Sequence, residues 1–172
     1  MVAIPYAAPV IEIVPETPAR DAVAIEALYD RTFGPGHFAK TAERLREYSA
    51  PLPAINRLAR QGDAVIGVCR VWPIRVGDVD ALFFGPVAVD PRHQGHALGL
   101  DVTAAAMEAG RAAGWPGGVL IGASAYFSRI GFSVVPAGQI SFPGPQDERR
   151  VMVCDLAGRG LDLVGAARAA PA

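Results

Sequence analysis

Cysteine is scarce in this chain: Cys69 and Cys154 are the only two among 172 residues. Their wide separation fits neither a disulfide framework nor a metal-ligand spacing, so two reduced thiols in a cytoplasmic protein are expected. Neither sign of charge dominates. Sixteen Lys and Arg against 17 Asp and Glu give a net charge of −1, which leaves no electrostatic footprint for nucleic acid or an anionic membrane. Apolar stretches such as Ala81–Phe84 and Pro86–Val89 stop far short of the roughly 20 residues of a membrane span. No charged segment precedes an apolar one in Met1–Val10, so no secretory signal is expected. The chain also lacks G-x-G-x-x-G and any Gly-Lys-Ser/Thr, the signatures of dinucleotide and nucleoside-triphosphate loops.

What is present is a globular composition. Hydrophobic residues make up 51% and charged residues 19%, which excludes general disorder. Ile11–Val14 reads as a strand, and Thr17-Pro18 as a helix start with proline in the first turn. Ile25, Leu28, Tyr29 and Phe33 recur at helical spacing. A shorter, more solvated helix is expected over Ala39–Ser49, ended by Pro51 and Pro53. Asn56–Arg60, Ala64–Val76 and Asp80–Val89 form an expected antiparallel meander, joined by Gln61-Gly62-Asp63 and Gly77-Asp78. Pro73 should interrupt its ladder or sit at an edge.

Leu98, Val102, Ala105, Ala109 and Ala113 then mark a helix from about Gly95 to Ala113, closed by Gly114. Gly118–Ile121 reads as a buried strand, Ser124–Ile130 as a short helix, and Phe132–Val135, Gln139–Phe142 and Arg149–Leu156 as closing strands. Residues 158–172, rich in Gly, Ala and Arg, are expected to be a flexible C-terminal tail. With no repeat or linker, the order implies a single α/β domain over residues 11–157 on a mixed sheet.

The chemistry concentrates in ALFFGPVAVDPRHQGHALG, residues Ala81–Gly99. An apolar strand ends at Val89, Asp90-Pro91 turns the chain, and glycines at 95 and 99 allow close approach of a ligand to the backbone. Amides at a helix start, with the positive end of the helix dipole, suit a phosphate or pyrophosphate. Arg92, His93 and His96 add polar or cationic neighbours. The alternative at this stage is a glycine-eased turn that binds nothing.

Gln94-Gly95-His96-Ala97-Leu98-Gly99, after a strand and opening a helix, resembles the acyl-CoA motif of the GNAT superfamily of N-acetyltransferases, Arg/Gln-x-x-Gly-x-Gly/Ala. Ala125-Tyr126-Phe127-Ser128-Arg129-Ile130-Gly131-Phe132 is similar to that family's late helix with its Gly-Phe ending, and Gly85–Pro91 to the strand before the loop. The resemblance spans about Ile11–Leu156. It implies a GNAT-like, largely antiparallel central sheet flanked by helices. It also implies acetyl-CoA as cosubstrate, with no metal, and direct transfer to a primary amine of a small molecule or an exposed amino group.

Carried onto this sequence, the resemblance implies that Val87, Ala88 and Val89 pair with the pantetheine arm, and that Gln94, Gly95, His96, Ala97, Leu98 and Gly99 hold the pyrophosphate, with Phe127 alongside the cofactor. An amide near Val87 or Ala88 would polarise the thioester carbonyl. Pro86 has no N–H and cannot. Two departures stand out: Ala97 occupies the place of a family glycine, and Phe127 that of a tyrosine placed to protonate the leaving thiolate. Tyr126 is the neighbouring candidate acid, although adjacent helical residues point about 100° apart. A non-catalytic acyl-CoA-binding sensor on the same fold is the competing expectation, and family members often form homodimers through their late strands.

Other residues carry weaker readings. His93-x-x-His96 could offer two imidazoles to a metal, but no carboxylate or thiol stands beside it. His37 is a candidate base or a plain loop residue. Glu43 and Glu47 could attract a cationic amine or form a solvated face with Arg44 and Arg46. Arg129 could reach phosphates, and Trp72 could edge the acceptor pocket. Trp115 and Cys69 read as packing residues.

Overall fold

The computed structural model describes residues 10–34, 44–47 and 49–170. His37, Glu43 and most of the helix expected over Ala39–Ser49 lie outside them. Among the described residues nine strands and three α-helices follow in order: β1 (Ile11–Pro15), α1 (Pro18–Phe33), β2 (Arg57–Gln61), β3 (Ala64–Val76), β4 (Val79–Val89), α2 (Leu98–Ala112), β5 (Gly117–Ile121), α3 (Ser124–Phe127), β6 (Ser133–Val134), β7 (Ile140–Ser141), β8 (Val151–Asp155) and β9 (Gly165–Ala169). They build one mixed, mostly antiparallel sheet in the order β1-β2-β3-β4-β5-β8-β6, with β9 paired to β3 and β7. Only β4–β5 and β7–β9 run parallel. No described helix is long and apolar enough to cross a membrane.

The expected meander forms, and its turns fall at Gly62 and Gly77, both at positive φ. Thr17 caps α1 by position but not by side chain. Instead the buried Asp21 carboxylate accepts the Thr17 N–H at 2.8 Å, held between Arg20 and Arg60. Charged residues thus close the helix start where a hydroxyl was expected.

Two apolar layers flank the sheet. Cys69, Val71, Leu82, Phe84 and Leu120 pack beneath α2 and α3, together with Val102, Ala106 and Phe127. On the other face Leu58, Val65, Val68 and Ala88 meet Ile25, Leu28 and Tyr29 of α1. Pro73 lies inside the unbroken β3, opposite Leu82. The other edge of β3 pairs with β2 as far as Cys69 and with β9 from Ile74 onward. Pro73 falls between them, where no strand needs its missing N–H.

The expected tail is the clearest correction. Gly165–Ala169 is a strand, with Ile74 opposite Ala169, Arg75 opposite Arg168 and Val76 opposite Ala167. Leu163 is fully buried among Ile74, Val119 and Ile140. Alanine and glycine have low strand propensity, so composition pointed away from a strand. The free length of β3 supplied the template. Leu163→Ala should therefore cost about 2–5 kcal/mol in urea unfolding, whereas a flexible tail would leave the midpoint unchanged.

Candidate active site

β4 and β5 pair over only three residues, Leu82–Phe84 against Gly118–Leu120. At the same height the β3–β4 register slips: Cys69 faces Val87 and Val71 faces Phe84. Gly85 and Pro86 together oppose Arg70, a bulge that bends β4 away. Beyond it β4 is bonded to β3 alone. The Asp90 N–H donates to the Ile66 carbonyl at 2.8 Å. Antiparallel alternation then gives the Ala88 peptide groups to β3 and turns those of Val87 and Val89 toward the gap. The Val89 carbonyl accepts from Gln94 Nε2 at 3.2 Å and Thr32 Oγ1 at 3.4 Å. Among the described residues no strand pairs with Val87 on that side.

The loop that follows is fastened by Asp90, which is 1% exposed. Its carboxylate accepts the Arg92 N–H, Nε and Nη2, each at 3.0 Å, and Arg31 Nε lies 3.5 Å away. The Arg92 side-chain hydrogen bonds hold this carboxyl well below the usual carboxylate range, against the opposing effect of burial. Arg92 is thereby committed to the turn rather than held free for a ligand. His93 Nε2 lies 3.3 Å from Gln61 Oε1. The signal missed in the sequence was Asp90-Pro91-Arg92, an acidic cap ahead of proline in a tight turn.

The helix begins at Leu98 rather than Gly95, because Gly95 (φ 88°) and Ala97 (φ 59°) are left-handed and cannot continue a right-handed helix. The Leu100 and Asp101 amides both donate to the Ala97 carbonyl. The amides of Leu98 and Gly99, at the first two helical positions, have no intrahelical acceptor. Added bulk at Gly95 would meet nothing within 4 Å, so its surroundings are open. Gly99 differs: a Cβ there would lie 3.0 Å from the Tyr126 hydroxyl and 3.5 Å from Val89 Cγ2. Its missing side chain makes room for Tyr126.

The fold that carries the strand gap and its loop recurs in known proteins. Residues 22–132 match the model of the acetyltransferase (GNAT) family. The chain belongs to this family. A GNAT-family N-acetyltransferase, YhbS from Escherichia coli, solved in complex with CoA, superimposes with a TM-score of 0.77 at 26% identity, over 93% of this chain and 89% of that one. A GNAT acetyltransferase from Brucella melitensis, in complex with acetyl-CoA, gives a TM-score of 0.66 at 22% identity, over 91% and 93%. No curated protein matches the chain.

Within this GNAT fold the two aromatic candidates separate. Phe127 is buried in the core against Phe132, with ring centroids 6.3 Å apart, while the Tyr126 hydroxyl reaches the start of α2. His96 is exposed and lines a cavity of about 230 Å³ with Ile11, Ile13, His93, Leu98 and Asp101. Among the described residues no three metal-ligating side chains gather. Glu47 and Arg129 are exposed, and Trp72 lies beneath the Arg46 guanidinium, 5.8 Å from its ring centroid. Burial pushes the Cys69 and Cys154 thiols up to about 12, which makes them poor nucleophiles.

The Asp90 clamp has a pH signature. Its folded-state pKa is depressed, so its stabilisation is complete well above the ordinary value of 3.8 and fades as pH falls below it. Asp90→Asn should lower Tm at neutral pH, and the gap to wild type should close in melts run progressively below about pH 4.

Proposed function

We propose that this GNAT chain is an acetyl-CoA-dependent N-acetyltransferase, acting by direct attack of a primary amine from a small molecule or an exposed amino group. The observation that carries this reading is the gap-facing edge of β4 at Val87 and Val89, followed across the loop at residues 90–97 by the amides at the start of α2. An extended amide-bearing chain can add to such an edge as a further strand. The amides at its end then offer donors to a diphosphate. Relatives of the same overall fold have been solved with CoA and acetyl-CoA, which supports this reading.

Residue roles follow from the strand alternation. Val87 and Val89 offer peptide groups to the pantetheine arm. Ala88 is committed to β3 and holds the edge in place. The Val87 N–H is therefore the donor that would meet the thioester oxygen as it gains charge, and Pro86 has none to give. Gln94 through Gly99 enclose the diphosphate through backbone groups. Phe127 supports this wall from the core side.

Acetyl-CoA would supply an activated acyl group: the neutral amine nitrogen bonds to the carbonyl carbon and gives up a proton to solvent, the carbon–sulfur bond breaks, and the departing thiolate takes up a proton. Tyr126 is the candidate proton donor, since its hydroxyl lies beside Gly99 at the start of α2. A second reading, a non-catalytic acyl-CoA sensor, draws on Phe127, whose buried ring replaces the usual tyrosine.

Release of free CoA thiol across a panel of amines, amino acids and peptides separates the two. Turnover with any amine supports the enzyme, and tight acetyl-CoA binding without turnover supports the sensor. Gly95→Val forces a branched residue to positive φ and should weaken acetyl-CoA binding by about tenfold or more in calorimetry. Tyr126→Phe should lower kcat and flatten the alkaline limb of its pH profile if the phenol is the acid. A change in KM for acetyl-CoA alone would assign it to holding the cofactor arm.

A further inference from the structure

A second cavity, of about 420 Å³, lies at the opposite end of the β3–β4 hairpin from the cleft. From Asp80 to Val87 is seven residues of strand, about 23 Å. Its lining combines Pro73, Ile74, Trp115 and the alanines at 169 and 170 with three charged side chains, Arg75, Asp80 and Arg168. The charges form a row across three strands. Asp80 of β4 faces Arg75 of β3, which faces Arg168 of β9. Side chains directly opposite on neighbouring strands share one face of the sheet, and like charges there oppose each other.

Asp80 offsets only one of the two cations. Arg75 Nε donates to Asp80 Oδ1 at 2.7 Å. Arg168 makes no hydrogen bond or salt bridge among the described residues, although it is near enough to Asp80 to help lower that carboxyl's pKa. The row therefore carries one net positive charge. It stands beside the partly buried Trp115 indole, which packs against the core behind it.

We propose that this cavity is a second ligand site, distinct from the acetyltransferase cleft, for a small planar aromatic oxyanion whose charged head bridges Arg75 and Arg168 while its ring lies against Trp115. A carboxylate or phosphoryl oxygen set between the two guanidiniums turns a repulsive cross-strand pair into two charge-assisted hydrogen bonds. The guanidinium fork suits either head group. The apolar remainder of the lining suits a ring better than a sugar or a polyamine. The site is assembled only because residues 165–169 join the sheet: without β9 neither Arg168 nor the two alanines would be there.

The test follows the Trp115 indole N–H resonance, assigned through Trp115→Phe, during titration of the full-length protein with benzoate, phenyl phosphate, phenol and inorganic phosphate. Saturable shifts are expected with benzoate or phenyl phosphate, and the stronger of the two assigns the head group. Phenol and inorganic phosphate should bind about tenfold more weakly or worse, since each lacks half of the recognition. Arg168→Ala, at an exposed position, should keep Tm and acetyl-CoA binding while weakening the aromatic anion by about tenfold, and Arg168→Lys should recover part of that loss. Saturating CoA should leave the titration unchanged. Absence of a saturable shift with either aromatic anion, or equal affinity in Arg168→Ala, overturns the proposal.

Discussion

Three residues of parallel pairing between β4 and β5 decide where the cleft of this molecule opens. Up to Phe84 and Leu120 the sheet is continuous; past the bulge at Gly85 and Pro86, β4 departs with only β3 for company. An open edge is ordinarily a liability, a row of unpaired amides and carbonyls. Here it is short, and it leads into a loop with the same surplus of donors. The cleft is thus a consequence of backbone hydrogen-bond accounting before any side chain is considered.

Such an opening demands a rigid neighbour, and β3 is that neighbour. Where β2 leaves it and β9 has not yet joined, one side chain and one loop amide complete its edge. Asn56 Oδ1 accepts the Val71 N–H at 2.7 Å, and the Leu52 N–H donates to the Val71 carbonyl at 2.8 Å. Asn56 is itself held by the buried Glu16 carboxylate, which also takes Arg70 at 2.8 Å, while Arg70 reaches on to Glu26 of α1. Arg70 is the residue opposite the bulge. The distortion that opens the cleft on one side of β3 is therefore matched on the other by a connected polar network, which is expensive to leave half-satisfied.

The sequence disclosed the cleft more readily than the edges of the fold. Strand-period hydrophobics across Ala64–Val89, turn residues at Gly62 and Gly77, and the helical spacing from Leu98 onward each agreed with a single structure. The tail failed because β9 owes its existence to a vacant template, a long-range property that local composition does not carry. The helix start was misplaced by three residues because Ala97 is left-handed at a cost of about 1 kcal/mol, a choice visible only in the backbone. Arg92 read as a cationic neighbour of the loop, and the structure pairs it with Asp90. That partner removes a positive charge from the loop and leaves anion attraction chiefly to the amides. Fold class and the strand–loop–helix order from β4 to α2 were legible; the identity of the residues facing inward was not.

Gly99 and Phe127 illustrate the last point and settle how the far wall is built. On a helix as short as α3, adjacent side chains cannot share a direction. A Cβ on Gly122 would collide with Leu120 and with the Phe127 ring, so that ring lies tightly under the end of β5 and fixes the helix's rotation. With Phe127 locked into the core, Tyr126 is turned toward α2, and the absence of a side chain at Gly99 admits its hydroxyl. Phe127, at the position where the family resemblance implies a tyrosine, thus does more than lack a proton donor. It anchors α3 so that the neighbouring tyrosine, one position earlier along the chain, meets the start of α2 at Gly99. The acid, if the chemistry uses one, must act from that displaced position, or the leaving thiolate must take its proton from water.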